Sequence, residues 1–176
     1  YFWKTSSTSR IQDNKDNLDD SEKLSLQTAL AKSLYFGRVA SMIQGLTIIE
    51  RYNEVNKFSF NFEDIFKNWS GGCIIRSEML DEFIEINNSS DKLLHSSQLH
   101  DLLKKNLKNI KEIVSSSILK NISLPVFSTS LSWYLNLSAD DNPSNLIQAQ
   151  RDFFGSHTVQ LLNSDEYIHI DWREDE

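Results

Sequence analysis

Between residues 20 and 155 the apolar positions recur at steps of three and four, a spacing that predicts helix for most of the chain. Asp19, Asp20, Ser21 and Glu22 supply capping oxygens and negative charge, which the unpaired N–H groups and dipole of a helix start both favour. The helix beginning there runs to about Asn56, with Leu26, Ala29, Leu30, Leu34, Met42, Ile43, Leu46 and Ile49 as its apolar positions. Gly37 and Gly45 allow a bend or the close approach of a neighbour. A short helix around Phe62 to Trp69 breaks at Gly71-Gly72, and a further helix carries Ile74, Ile75, Met79, Leu80, Phe83 and Ile84. From Ser97 to about Asn121, Leu99, Leu102, Leu103, Leu107, Ile110, Ile113 and Val114 share one face of a long amphipathic helix. Pro125 and Pro143 each suit a first helical turn, where a missing N–H leaves nothing unpaired, and Gly155 terminates the last helix.

The two ends read differently. Residues 1–20 are poor in aliphatic side chains and crowded with Ser, Thr, Asn and Asp, which predicts a loosely docked lead-in. Thr158 to Leu162 and Tyr167 to Trp172 alternate instead of following a helical period, which predicts an extended tail. The reading is therefore an all-α fold: a lead-in over 1–20, a helical bundle over 21–155 and an extended tail over 156–176.

Charge and composition exclude several classes. The net charge is -7 and no basic stripe is present, so a nucleic-acid partner is not expected. Lys104, Lys105, Lys108 and Lys111 are interleaved with Leu107 and Ile110 at helical spacing and read as a solvated helix face. No apolar run reaches the roughly 20 residues that span a bilayer, and no membrane is expected. Cys73 is the only cysteine and lies in an apolar run, which excludes an intrachain disulfide and fits a reducing compartment or a simple buried thiol; a cytoplasmic setting is expected. A first residue of Tyr rather than Met implies a fragment or processed product. No G-x-G-x-x-G follows a strand pattern, so this chain alone should not hold a nicotinamide cofactor.

Two segments carry more specific information. Asn145 to Thr158 joins a helical apolar stripe to Arg151 and His157 near its exit, where a cationic and a titratable side chain could meet an anion. Trp69-Ser70-Gly71-Gly72-Cys73-Ile74-Ile75-Arg76-Ser77 forms the second segment. With Ser33-Leu34-Tyr35, Gln44-Gly45, Leu124-Pro125 and the closing Tyr167-Ile168-His169-Ile170-Asp171-Trp172, taken in order from about Lys32, they resemble the C-terminal helical domain of 6-phosphogluconate dehydrogenase, the decarboxylating enzyme of the pentose phosphate pathway. Ser70, where that family usually has arginine, and Tyr134-Leu135-Asn136-Leu137-Ser138, in place of a more polar segment, depart from the pattern.

The resemblance implies the second half of an all-helical domain whose enzyme converts 6-phosphogluconate to ribulose 5-phosphate and CO2. NADP would be bound by an N-terminal domain absent from this chain, with no metal. The family's catalytic lysine and glutamate fall on a helix that is also absent, so no catalytic residue is assigned and the isolated chain is expected to be inactive. Residue by residue, Arg151 matches the arginine that binds the substrate phosphate. His157 matches the tail histidine that hydrogen-bonds substrate in the partner subunit's site, which implies a homodimer with crossing tails. The alternative is a helical interaction and dimerisation module derived from that family without its activity. His95, His100 and His169 are expected to be structural or exposed. Trp69, Trp133, Trp172, Phe153 and Phe154 are expected to fill the core or a dimer seam, and Arg76 to tie its helix to a neighbouring carboxylate or carbonyl.

Overall fold

The computed structural model describes residues 18–89, 93–139 and 142–172 and is all-α apart from one short hairpin. The expected lead-in before residue 18 and the acidic end after residue 172 lie outside the described residues. The chain separates into two compact units, divided between Leu131 and Ser132.

In the first unit, α1 (Asp20–Asn56) starts on a complete capping box. The Asp19 carboxylate accepts the Glu22 N–H at 2.8 Å, and Glu22 returns a carboxylate oxygen to the Asp19 N–H, also at 2.8 Å. The helix stops where Lys57 turns left-handed (φ 54°) and sends its N–H back to Asn53 and Glu54. At 37 residues it is about 55 Å long. It packs along α4 (Ser97–Leu119). Phe36, Val39, Ala40, Ile43 and Leu46 are buried on α1, and Leu99, Leu103, Ile110, Ile113 and Val114 on α4.

Polar residues are admitted to these buried faces because each bonds its own helix. Ser33 Oγ donates to Ala29 O (2.7 Å), Asn106 Nδ2 to Leu102 O (3.0 Å) and Ser117 Oγ to Val114 O (2.8 Å). The lysines of α4 are exposed, as their spacing predicts. Among the described residues no helix is long and apolar enough to cross a membrane.

Helices α2 (Phe62–Ser70) and α3 (Glu78–Ser89) pack together through an edge-on Phe66–Phe83 pair with centroids 6.0 Å apart, both rings fully buried. A one-turn 3-10 helix, Leu93–His95, buries Leu93. Tyr35 Oη on α1 donates to the Glu82 carboxylate on α3, and Arg38 Nη2 donates to Ser77 Oγ at 2.9 Å. Burial, and then the Glu82 charge it faces, push the Tyr35 hydroxyl above the usual phenol range.

Helix α5 (Pro125–Leu137), with Pro125 in its first turn as expected, carries the chain from one unit into the next. The second unit holds α6 (Ser144–Gly155) and the antiparallel strands β1 (Val159–Gln160) and β2 (Tyr167–Ile168), in which Val159 faces Ile168 and Gln160 faces Tyr167. The alternation read as an extended tail is this hairpin with its flanks.

Three expectations need correction. Ile74 and Ile75 are not helical: α3 starts at Glu78, and both lie in the turns after Gly71, where Ile74 is 99% exposed. Gly72 sits at φ 152°, a backbone angle that a side chain disfavours, so the chain leaves helical geometry at the glycine pair, and residues 73–77 form turns and a bend before α3 begins at Glu78. Cys73, in that same segment, is exposed and not buried. Finally, Leu26, Leu30 and Leu34 of the α1 stripe are exposed among the described residues of the first unit. Leu26 and Leu30 line one open hollow of about 410 Å³ with Leu124, and Leu34 lines another of about 320 Å³ with Met79 and Phe127.

Candidate functional site

The chemistry-bearing segment sits where α6 ends. Asn142 prepares the start of that helix: its side-chain oxygen accepts the Ser144 N–H at 2.9 Å, while its Nδ2 donates to Asn136 O at 2.8 Å. Gly155 is the last helical residue, but Ser156 is the left-handed cap (φ 52°), donating its N–H to Asp152 O at 2.8 Å. Thr158 is left-handed as well (φ 62°). A β-branched residue in that region costs on the order of 1–3 kcal/mol and persists only where its surroundings over-determine it. The Thr158 N–H donates to Asp152 Oδ1 at 2.7 Å, and its carbonyl accepts Gln148 Nε2 at 2.5 Å.

Asp152 is the centre of this unit. Its side chain is fully buried and takes four donors: Thr158 N and His169 Nδ1 (2.9 Å) on one oxygen, Ile170 N (2.9 Å) and Trp172 Nε1 (3.0 Å) on the other. Burial by itself would raise the Asp152 carboxyl. The hydrogen bonds from His169, Ile170, Trp172 and Thr158 outweigh burial and hold it well below its ordinary 3.8. An ionised carboxylate with its lone pairs filled is the one form of buried aspartate that such a site tolerates. Donors up to 20 residues away converge on it, so this side chain fastens both ends of the tail, Thr158 and His169 to Trp172, to the helix.

Both expected ligand-binding residues are on the surface of this unit. Arg151 is exposed; its Nη1 donates to Gln148 Oε1 at 2.9 Å, and among the described residues it makes no ion pair. Its neighbour Asp152 is committed to the tail and does not neutralise it. His157 is exposed between the two left-handed residues, and its ring lies over Gly155: a methyl group added there would stand 2.8 Å from His157 Nε2. The structure links the two residues through Gln148, which holds Arg151 with its oxygen and the carbonyl after His157 with its nitrogen. Neither lines the two apolar hollows of the first unit.

His169, expected to be structural or exposed, is both: its Nδ1 is fixed on Asp152 while the ring is half exposed. Phe153 and Phe154 do not fill the core of their unit. They are 58% and 76% exposed, Phe153 meeting Phe154 and Trp172 edge-on. The Arg76 guanidinium is exposed and makes no carboxylate or carbonyl contact among the described residues. Among those residues, too, no group of three or more His, Cys, Asp or Glu is placed to hold a metal ion.

Sequence reasoning missed Gln148 and Asp152. The one available signal was their spacing of four, which puts them on one face of α6.

The family model of the 6-phosphogluconate dehydrogenase C-terminal domain matches residues 3–172. This chain belongs to that family. The chain is 30% identical over 146 residues to the decarboxylating 6-phosphogluconate dehydrogenase of Lactococcus lactis subsp. lactis, covering 81% of this chain and 31% of the relative. It is 28% identical over 159 residues to the Staphylococcus epidermidis enzyme of the same name, covering 89% and 34%. Among solved structures, Plasmodium falciparum 6-phosphogluconate dehydrogenase superposes with a TM-score of 0.74 at 30% identity, over 92% of this chain and 35% of that one. That enzyme is described free, with its cofactor NADP+ and with its substrate 6-phosphogluconate. The chain therefore spans about a third of the length of these relatives. The all-helical C-terminal domain of the 6-phosphogluconate dehydrogenase family is the fold seen here.

Proposed function

We propose that this chain is the C-terminal part of an NADP-dependent 6-phosphogluconate dehydrogenase and supplies Arg151 and His157 to the substrate site. The carrying observation is Arg151: an exposed guanidinium, free of any carboxylate among the described residues, held by Gln148 to the backbone beside His157. A planar, permanently charged fork suits a phosphate dianion in geometry as well as charge. An imidazole lying over Gly155 can donate to a phosphate oxygen and donate to or accept from a sugar hydroxyl.

Oxidation and decarboxylation belong, in this reading, to the rest of the protein, which holds NADP and the acid–base residues. The tail after residue 155 reaches the site of a second copy. Leu146, Ile147, Phe153 and Phe154, all exposed on α6, offer the apolar area for that pairing.

The test is steady-state kinetics of the intact protein with 6-phosphogluconate. Arg151→Ala removes a charge-assisted contact made in ground and transition states alike, so KM is expected to rise by about 10- to 100-fold. An unchanged KM removes the assignment. The isolated chain is expected to reduce no NADP, and turnover at ordinary enzyme rates would contradict the division of labour.

A further inference from the structure

Gln148 is half-buried on α6, and both ends of its amide are spent. Its Oε1 accepts from the Arg151 guanidinium at 2.9 Å, and its Nε2 donates to the Thr158 carbonyl at 2.5 Å. The amide can sit only this way round, because reversal would set NH2 against a guanidinium and oxygen against a carbonyl. One turn along α6, Asp152 takes the Thr158 N–H with its side chain and the Ser156 N–H with its backbone carbonyl. The backbone is thus held on both sides of His157, in two left-handed residues that would not keep those angles unaided. Where the His157 Cα–Cβ bond points is decided by these contacts and not by the histidine.

We propose that Gln148 is a positioning residue for the phosphate-bearing sugar acid. It sets the Arg151 guanidinium and, through the Thr158 carbonyl, the backbone that carries His157 in one fixed relation, with Asp152 holding the N–H of the same threonine. The inference rests on Arg151 and His157 being the ligand-holding pair. It adds that their geometry is built in advance by a residue that touches no ligand. Gln148 binds nothing itself; it removes the freedom two exposed side chains would otherwise lose on binding.

The test uses the intact protein, 6-phosphogluconate and Gln148→Met, which keeps length and helix preference while deleting both amide contacts. The expected result is a KM raised by roughly tenfold with kcat within about twofold and an unshifted thermal midpoint, since the lost interaction serves ground and transition states equally. In an Arg151→Ala/His157→Ala background, Gln148→Met should add nothing further, because its effect passes through those two groups. If the variant does not fold, Gln148→Leu, a good helix former that also lacks both amide contacts, carries the same expectation. A KM within about twofold of the parent overturns the proposal. So does a Gln148→Met effect that persists undiminished without Arg151 and His157. Should Arg151→Ala and His157→Ala themselves leave KM unchanged, the reading of the site fails and takes this inference with it, a result distinct from failure at Gln148 alone.

Discussion

Replacing Trp172 by Phe tests whether one buried carboxylate holds the tail. The substitution keeps an aromatic ring at the edge of Phe153, now 6.1 Å away between centroids, and removes the second ring together with the indole N–H that reaches Asp152 Oδ2 at 3.0 Å. Trp172 is 37% exposed, so some apolar burial is lost with the second ring as well and adds to the effect. A hydrogen bond from the indole to a charged acceptor contributes about 1.5–3 kcal/mol. The tail should then open roughly 10- to 100-fold more often. The readout is amide hydrogen exchange at Thr158 and Ile170, whose N–H groups share the same carboxylate. Both should exchange faster by that factor, while amides of α1 and α4 in the other unit keep their protection. If Thr158 and Ile170 exchange at the parental rate, the four donors do not act as a unit, and the account of Asp152 as the anchor joining both ends of the tail is wrong.

Other outcomes follow from the same geometry. Gly155→Ala should leave the thermal midpoint unchanged or slightly raised, since alanine is the better helix former by up to about 1 kcal/mol. Yet its methyl would stand 2.8 Å from His157 Nε2 and must push the ring aside, so KM for 6-phosphogluconate should rise several-fold. Acid should spare the tail until late. The Asp152 carboxyl is held below 3.8 in the folded chain, so its contribution is full above that value and disappears as pH falls through the lower folded value. The Trp172 indole N–H resonance should therefore keep its folded position down to about pH 4, and loss of it near neutrality would contradict the assignment. Phe66→Ala, at a fully buried ring stacked edge-on against Phe83, should cost the first unit about 3–5 kcal/mol in a denaturant titration.

Much of the helical layout was legible because periodicity and caps report on local chain physics. Asp19 to Glu22 mark the start of α1, and Pro125 the start of α5, within a residue of where the structure places them. Where glycine geometry overrides apolar content the pattern misleads: Ile74 and Ile75 fit a helical stripe but lie in the turns beyond Gly72. Periodicity also cannot say what covers a stripe. Leu26, Leu30 and Leu34 have the spacing of a core face but are exposed among the described residues of the first unit. Arg151 and His157 could be named from residue type and motif, whereas Gln148 and Asp152 could not. Their roles depend on where the backbone of residues 156–172 returns in space, and an aspartate beside an arginine in a helix reads by default as a surface ion pair.

The hairpin between β1 and β2 stands outside this web. Residues 161–166 close on themselves, with Leu161 N bonded to Glu166 O and Gln160 Nε2 to Ser164 O, and none of them reaches Asp152. Chain length can vary at that tip without loosening either end of the clasp. An inserted peptide epitope or a fluorophore placed at Asn163 should thus report on the tail while leaving its fastening intact.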